Sequence, residues 1–250
     1  MSAGAFFDLD RTLMAGSSGL HWARAAQRSG LLSRRQLWAD GWSNVMFRLQ
    51  GSTDEASEKV RDRVSAWIAG RRVADLDRLA PLVLSGVLPR LYPQMLEVAY
   101  RHQDAGVPVF ICTAATQGTA DMLAHVLGFD GAAGSRLEAR DGVYTGGFEG
   151  PFCYREGKPL RMRELATARG LDLASSWAYS DSESDLPMLR AVGHPVAVNP
   201  DRELTMVARA NGWEIVRFET LGRRLKLAAV VTAAAAAAGG AARIRLMAAR

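Results

Sequence analysis

Two cysteines, Cys112 and Cys153, are all that the 250 residues contain. Their spacing fits no metal-ligand motif, and with no signal peptide they read as reduced thiols. Lysine is nearly as scarce. Lys59, Lys158 and Lys226 are the only three, so the net charge of +5 and the pI near 9.6 rest on arginine. No basic run is interleaved with aromatics and no nucleic-acid-binding motif occurs, so nucleic acid is not an expected partner. The N-terminus lacks a basic n-region and a long apolar h-region, and a cytoplasmic location is expected. No internal repeat is found. The Gly-rich turn of a dinucleotide enzyme is also missing, because Gly16-Ser17-Ser18-Gly19 does not match it.

What is present fits a soluble globular chain: 48% hydrophobic and 23% charged residues, long enough for a large core with an insertion. The basic balance suits small anionic substrates or an anionic membrane surface. Arg223-Arg224-Leu225-Lys226 precedes an alanine-dominated run, Leu227 to Ala242, followed by Arg243, Arg245 and Arg250. That run falls short of the roughly 20 residues needed to span a bilayer. The expected state is an exposed or loosely docked terminal helix, with weak contact to a membrane surface through its basic flanks as the alternative.

Strand and helix signals alternate along the chain. Phe6-Phe7 leads into Asp8-Leu9-Asp10-Arg11-Thr12-Leu13 and reads as a buried strand ending at a loop. From about Ser17 to Leu88 the pattern is helical. One helix carries Leu20, Trp22, Ala23, Ala26 and Gln27 on its face. A second, capped by Ser33, carries Leu37, Trp38, Trp42, Val45, Met46 and Leu49. A third, capped by Thr53, carries Val60, Val64, Trp67 and Ile68, and a fourth carries Leu76, Leu79, Leu82 and Val83. The tryptophans are expected in the core of this small bundle. Beyond it the pattern predicts a helix over Pro89–Ala105, a strand over Val107–Thr113 and a helix over Thr116–Leu127. A hairpin over Leu137–Gly146 turns at Asp141-Gly142. A helix over Glu156–Arg169, a strand over Ser176–Ser180, a short helix over Leu186–Ala191 and a strand over Pro195–Val198 follow. Asp201 caps a helix to Ala210, and Trp213–Val216 reads as a last strand. The expected fold is a doubly wound, Rossmann-like α/β core with a mostly parallel sheet, residues 1–16 and 89–222. An inserted helical cap spans 17–88 and a tail spans 223–250.

In such sheets, sites form beyond the carboxyl ends of the strands. There stand Asp8 and Asp10, then Thr113, then Lys158, then Asp181 and Asp185. On an extended strand, i and i+2 point the same way, so Asp8 and Asp10 leave together. Two close carboxylates stay ionised only beside a cation. A carboxylate pair, a hydroxyl, an ammonium and a second carboxylate pair, each at a strand or helix end, suit phosphoryl transfer. A cation and a lysine offset the repulsion between carboxylate and phosphate, while a hydroxyl and backbone amides hold the non-bridging oxygens.

This ordered set resembles the haloacid-dehalogenase superfamily, in its phosphoserine-phosphatase-like subfamily IB. The first motif, Asp-x-Asp-x-Thr-Leu, stands as Asp8 to Leu13. The second is Thr113, the third Lys158, and the fourth Asp181 with Asp185. The resemblance implies a Mg2+-dependent phosphomonoester phosphatase. Asp8 would be the nucleophile that forms an aspartyl-phosphate, and Asp10 the acid and then the base. Thr113 and Lys158 would bind the phosphoryl group. Asp8, the Asp10 backbone carbonyl and Asp181 would hold the metal, with Thr12, Ala114 and Asp185 in support. Departures concern the substrate. Ser17 stands where the phosphoserine phosphatases use a glutamate for the substrate ammonium, Thr113-Ala114-Ala115 replaces Ser-Gly-Gly, and Ser184 replaces an asparagine. Phosphoserine, histidinol phosphate, other phosphorylated alcohols and lipid-headgroup-like esters all remain candidates, and Arg24, Arg28 and Arg48 are either anion contacts or a solvated face. A receiver domain would lack the first Asp pair and the insertion. A silent phospho-ligand-binding relative would have lost part of the set, and the set is complete.

Overall fold

The computed structural model describes residues 2–32 and 54–218. The helix expected from Ser33, with Trp38, Trp42 and Arg48, lies outside them, as does the tail beyond Phe218. Among the described residues eight strands occur: β1 Ala5–Phe7, β2 Val109–Thr116, β3 Gly131–Ser135, β4 Leu137–Arg140, β5 Val143–Phe148, β6 Trp177–Ser180, β7 His194–Val198 and β8 Glu214–Val216. The helices are α1 Ser18–Arg28, α2 Asp54–Ile68, α3 Val73–Asp77, α4 Ala80–Val87, α5 Pro93–Asp104, α6 Gln117–Leu127, α7 Gly157–Arg169, α8 Leu186–Leu189 and α9 Arg202–Ala210.

Six strands form one parallel sheet in the order β3-β2-β1-β6-β7-β8. β1 is central and wholly buried, as its unbroken apolar run requires. Phe6 faces one layer, stacked on Phe110 with centroids 5.3 Å apart, above a core that includes Met162, Met188 and Leu204 from α7, α8 and α9. Phe7 stacks on Tyr179 at 4.3 Å on the other face, where His102 of α5 reaches the Tyr179 hydroxyl at 2.7 Å. Helices therefore cover both faces. The chain winds outward from β1 to β3, returns to the other side of β1, and winds outward again to β8. The order reverses between β1 and β6, and Asp8 and Asp181 lie just past these two strands.

β3 was not expected. Gly131-Ala132-Ala133-Gly134-Ser135 has no β-branched or aromatic residue to signal a strand. Small residues are what the place demands: a Cβ on Gly134 would stand 2.9 Å from the Gln117 Cα. Gln117 locks the strand, accepting from Gly134 N and donating to the Ala132 carbonyl. β2 also runs on to Thr116, with its register broken between Cys112 and Thr116.

The helical segment departs from expectation in two ways. α1 buries His21, Ala25 and Ala26, while Leu20 is 43% exposed. The buried face is the one that meets α4, where His21 packs against Gly86 so closely that a Cβ there would lie 2.2 Å from Nδ1. Trp22 and Trp67 are half-buried rather than core. Trp22 donates to Thr119 Oγ1 of α6 at 2.7 Å, and Trp67 carries the Arg71 guanidinium on its ring. The β4–β5 hairpin turns at Asp141 and Gly142, both with positive φ as a two-residue loop needs. Its position in the sequence puts it in the core. Yet Gly70 N donates to Tyr144 O, Val73 N to Gly142 O, and Ser65 Oγ to Gly146 O. These bonds and Trp22 tie the described part of the insertion to the rest, and Met1–Val216 forms one compact unit.

One loop is set by a single glycine. A Cβ on Gly157 would lie 1.7 Å from the Phe152 carbonyl oxygen, a backbone atom that cannot step aside. Gly157→Ala is expected to lower stability by about 3 kcal/mol in urea unfolding. Gly118→Ala, with open space around its Cβ in α6, is expected to leave stability unchanged or raise it by up to about 1 kcal/mol. Equal midpoints for the two variants would contradict this packing.

Candidate active site

Asp8 follows β1 and is held by its own backbone, its N–H donating to the Tyr179 carbonyl of the neighbouring strand. Its carboxylate is buried. Lys158, in the first turn of α7, brings its ammonium to 2.6 Å from Asp8 Oδ1 and to 2.6 Å from Asp185 Oδ2. Ser180 Oγ donates to the same Asp185 oxygen at 2.6 Å. Thr113 is buried at the end of the regular part of β2, where its hydroxyl accepts from Ala115 N. The structure thus brings together the ends of β1, β2 and β6 and the start of α7, all named in the sequence. Asp181, also buried, follows β6.

The loop after β1 is a tight turn in which Leu13 N and Met14 N both donate to the Leu9 carbonyl. Arg11 takes φ 64°, which costs a non-glycine residue roughly 1–2 kcal/mol. Thr12 is fully buried, but its hydroxyl has no hydrogen-bond partner, so backbone bonds rather than this side chain close the turn. Ala114 contributes its carbonyl, which accepts from Ser135 Oγ; that oxygen in turn accepts from Cys153 N. The link fastens β3 and the loop before Lys158 to the end of β2.

Four contacts are not visible in the motif spacing. Ser17 Oγ donates to Asp10 Oδ2 at 2.9 Å, and Ser18 N donates to Asp10 Oδ1 at 2.8 Å. Asp10 therefore caps α1 in place of Ser17, whose own side chain makes no capping bond. The third is Ser180 on Asp185. The fourth is Arg11, whose Nε lies 3.1 Å from Asp181 Oδ2. A serine pair at a helix start is a sequence signal, but it does not say which carboxylate those serines meet.

Electrostatics follow from crowding and burial. Burial pushes the Asp8 carboxyl up to about 7. Lys158 pulls against this, while the nearby Asp185 and Asp10 charges add to it. Burial, with repulsion from Asp8, Asp185 and Asp201, pushes Asp181 up to about 8 despite Arg11. Burial alone would lower the Lys158 ammonium, but Asp185 and Asp8 outweigh it and hold it well above its ordinary value. Asp8 and Asp185 are thus paired with Lys158 and Asp181 with Arg11, while Asp10 and Asp201 add further negative charge nearby. Asp181 Oδ2 is buried and accepts no hydrogen bond. This excess of negative charge, with a buried Asp181 oxygen held only by its ion pair to Arg11, fits a hard divalent cation. No group of three His, Cys, Asp or Glu side chains forms a metal cluster among the described residues. The expected ligand set, two carboxylates and a backbone carbonyl, does not need one.

The raised values fix a pH dependence. Both carboxyls have folded pKa values above the ordinary 3.8, so the folded protein keeps protons that the unfolded chain has lost. Stability of the metal-free protein then falls as pH rises towards 7–8, by about 1.4 kcal/mol per pH unit for each retained proton. His21 and His102 have lowered values, chiefly from burial, and act only below about 6.5. Between pH 6.5 and 8 the carboxylates therefore dominate. Melting in EDTA is expected to drop across this window, and added MgCl2 is expected to restore more at pH 8 than at pH 6.5. A metal-free melting temperature that rises with pH here would contradict the burial of these charges.

Comparison with known proteins bears on the same residues. The sequence model described as haloacid dehalogenase-like hydrolase matches residues 5–190. The chain is 37% identical over 222 residues to phosphoserine phosphatase SerB1 of Mycobacterium tuberculosis, covering 87% of this chain and 71% of that protein. It is 30% identical over 220 residues to a histidinol-phosphatase of Neisseria meningitidis, covering 86% of this chain and 98% of the relative. A solved structure from Bordetella pertussis, of unknown function, superposes with a TM-score of 0.75 at 29% identity, covering 86% of this chain and 98% of that one.

Proposed function

The chain belongs to the haloacid dehalogenase-like hydrolases, and from that premise we propose that it is a Mg2+-dependent phosphatase of small phosphomonoesters acting through an aspartyl-phosphate on Asp8. The observation that carries this reading is Lys158, whose ammonium bridges Asp8 and Asp185 at 2.6 Å each at the point where the strand order reverses.

Each role follows from a contact. Lys158 fixes the Asp8 carboxylate and leaves its other oxygen to attack phosphorus. The same ammonium and the Thr113 hydroxyl neutralise and hold the non-bridging oxygens as charge builds on them. Asp10, oriented by Ser17 and Ser18, gives its proton to the leaving alkoxide. It then takes one from the water that opens the acyl-phosphate. Asp8, the Asp10 carbonyl and Asp181 would hold the cation, which supplies charge neutralisation between carboxylate and phosphate. Asp185, anchored by Ser180, keeps Lys158 in place. The helical insertion, residues 17–88, serves as the cap over this site in our reading. The relatives' names support the substrate class of small phosphorylated metabolites. Ser17 is engaged with Asp10, so it leaves no acidic group at that position for a substrate ammonium.

A panel of phosphoserine, histidinol phosphate, glycerol phosphate and phosphoethanolamine, assayed for phosphate release with MgCl2 and with EDTA, tests the reading. At least one ester is expected to reach a kcat/KM of about 10^4 M⁻¹ s⁻¹ or more with magnesium. EDTA is expected to abolish release. Hydrolysis of none, or hydrolysis indifferent to EDTA, would contradict it.

A further inference from the structure

Arg11 is the residue of the first motif with no assigned task. Its backbone takes a left-handed φ of 64°, a conformation that an arginine adopts only when its surroundings hold it there. Its guanidinium reaches Asp181 Oδ2 at 3.1 Å, and that oxygen is buried and accepts no hydrogen bond. The arginine side chain remains 46% exposed, against 4% for Asp181. Lys158 cannot serve Asp181, because it is already shared between Asp8 and Asp185. Among the described residues, the cation paired with Asp181 is thus Arg11, tethered beside Asp10 and half in solvent.

We infer that Arg11 is a built-in competitor for the cation site, holding Asp181 when no divalent cation is bound and giving it up when one enters. This rests on the metal-site reading proposed above and adds to it. A buried carboxylate without a counter-ion is costly, so the metal-free site needs a stand-in. A half-exposed guanidinium fits that task, since withdrawing into water costs it little. The arrangement lowers cation affinity in exchange for a stable metal-free protein. It also makes cation uptake depend on the residue that follows the second motif aspartate.

Isothermal titration of the full chain with MgCl2, alongside melting curves, compares wild type with Arg11→Gln and Arg11→Lys. Glutamine meets the same backbone strain as arginine, so the comparison isolates the charge. Arg11→Gln is expected to bind Mg2+ about fivefold more tightly. Its metal-free melting temperature should fall below that of wild type and converge with it at saturating MgCl2. Arg11→Lys should stay near wild type on both measures. Equal or weaker Mg2+ binding by Arg11→Gln, where wild type binds, would overturn the competitor role and leave the metal site standing. No heat of Mg2+ binding and no stabilisation in any of the three proteins would overturn the metal site itself, and the competitor with it.

Discussion

Asp8→Asn is expected to lose at least about 10^4-fold in kcat/KM while keeping its fold. The amide has no charge with which to attack phosphorus, and no other carboxylate stands where Asp8 stands. Asp10 is turned towards the start of α1 by Ser17 and Ser18, and Asp185 is held by Lys158 and Ser180. The fold should not suffer, because burial, with the Asp185 and Asp10 charges, already pushes the Asp8 carboxyl up to about 7 against the pull of Lys158. Removing it relieves repulsion with Asp185 and Asp10 and leaves Lys158 with Asp185 as partner. In EDTA at pH 8, Asp8→Asn should therefore melt at or above the wild-type temperature. Turnover at more than a hundredth of the wild-type rate, by protein proved free of wild type, would remove Asp8 from the role of nucleophile. A large loss of stability would mean that Asp8 holds the fold.

Lys158→Met should fail on both counts. Its side chain is 3% exposed and its ammonium lies between two buried carboxylates. Taking away one partner of a buried ion pair costs about 3–5 kcal/mol, since the remaining charge keeps its desolvation penalty. At about 2–4 °C per kcal/mol for a chain of this size, melting should fall by roughly 10 °C at pH 8. Lowering the pH to 5.5 should recover part of this, because Asp8, whose carboxyl burial already pushes up to about 7, can then take up a proton in place of the missing ammonium. Phosphate release should be undetectable at either pH, as the group that holds the transferring phosphoryl is gone. A variant that melts like wild type at pH 8 would mean that the bridge seen between Asp8 and Asp185 contributes nothing to the folded state.

The contrast between these two variants shows what kind of information the sequence holds. Asp8, Thr113, Lys158, Asp181 and Asp185 were legible because each sits at the end of an apolar run or at a helix start, and the parallel sheet gathers such ends at one edge. β3 was not legible, because Gly134 answers to the closeness of Gln117 and not to any strand preference of its own. The buried face of α1 is not legible for a related reason. Its burial is set by the fit of His21 against Gly86 on α4, a partner 65 residues away, and Leu20 stays outside. The hairpin was found through Asp141-Gly142, a local signal. Its docking on residues 65–73 was not, because two of its bonds, Gly70 N to Tyr144 O and Val73 N to Gly142 O, are main-chain and leave no mark on residue type, and the third comes from a lone serine, Ser65. Ser17, Ser180 and Arg11 belong to the same class. Ser17 and Arg11 are ordinary loop residues, and Ser180 an ordinary strand end, until the fold puts a carboxylate beside each.

The most direct measurement is to stop turnover with acid in the first milliseconds, using a 32P-labelled phosphomonoester that the panel has shown to be a substrate, and to map the protein-bound label. Attack by Asp8 predicts label on the peptide carrying Asp8, released by hydroxylamine as an acyl-phosphate must be and absent from Asp8→Asn. Rapid phosphate release with no protein-bound label at any time, or label on a peptide without Asp8, would contradict it.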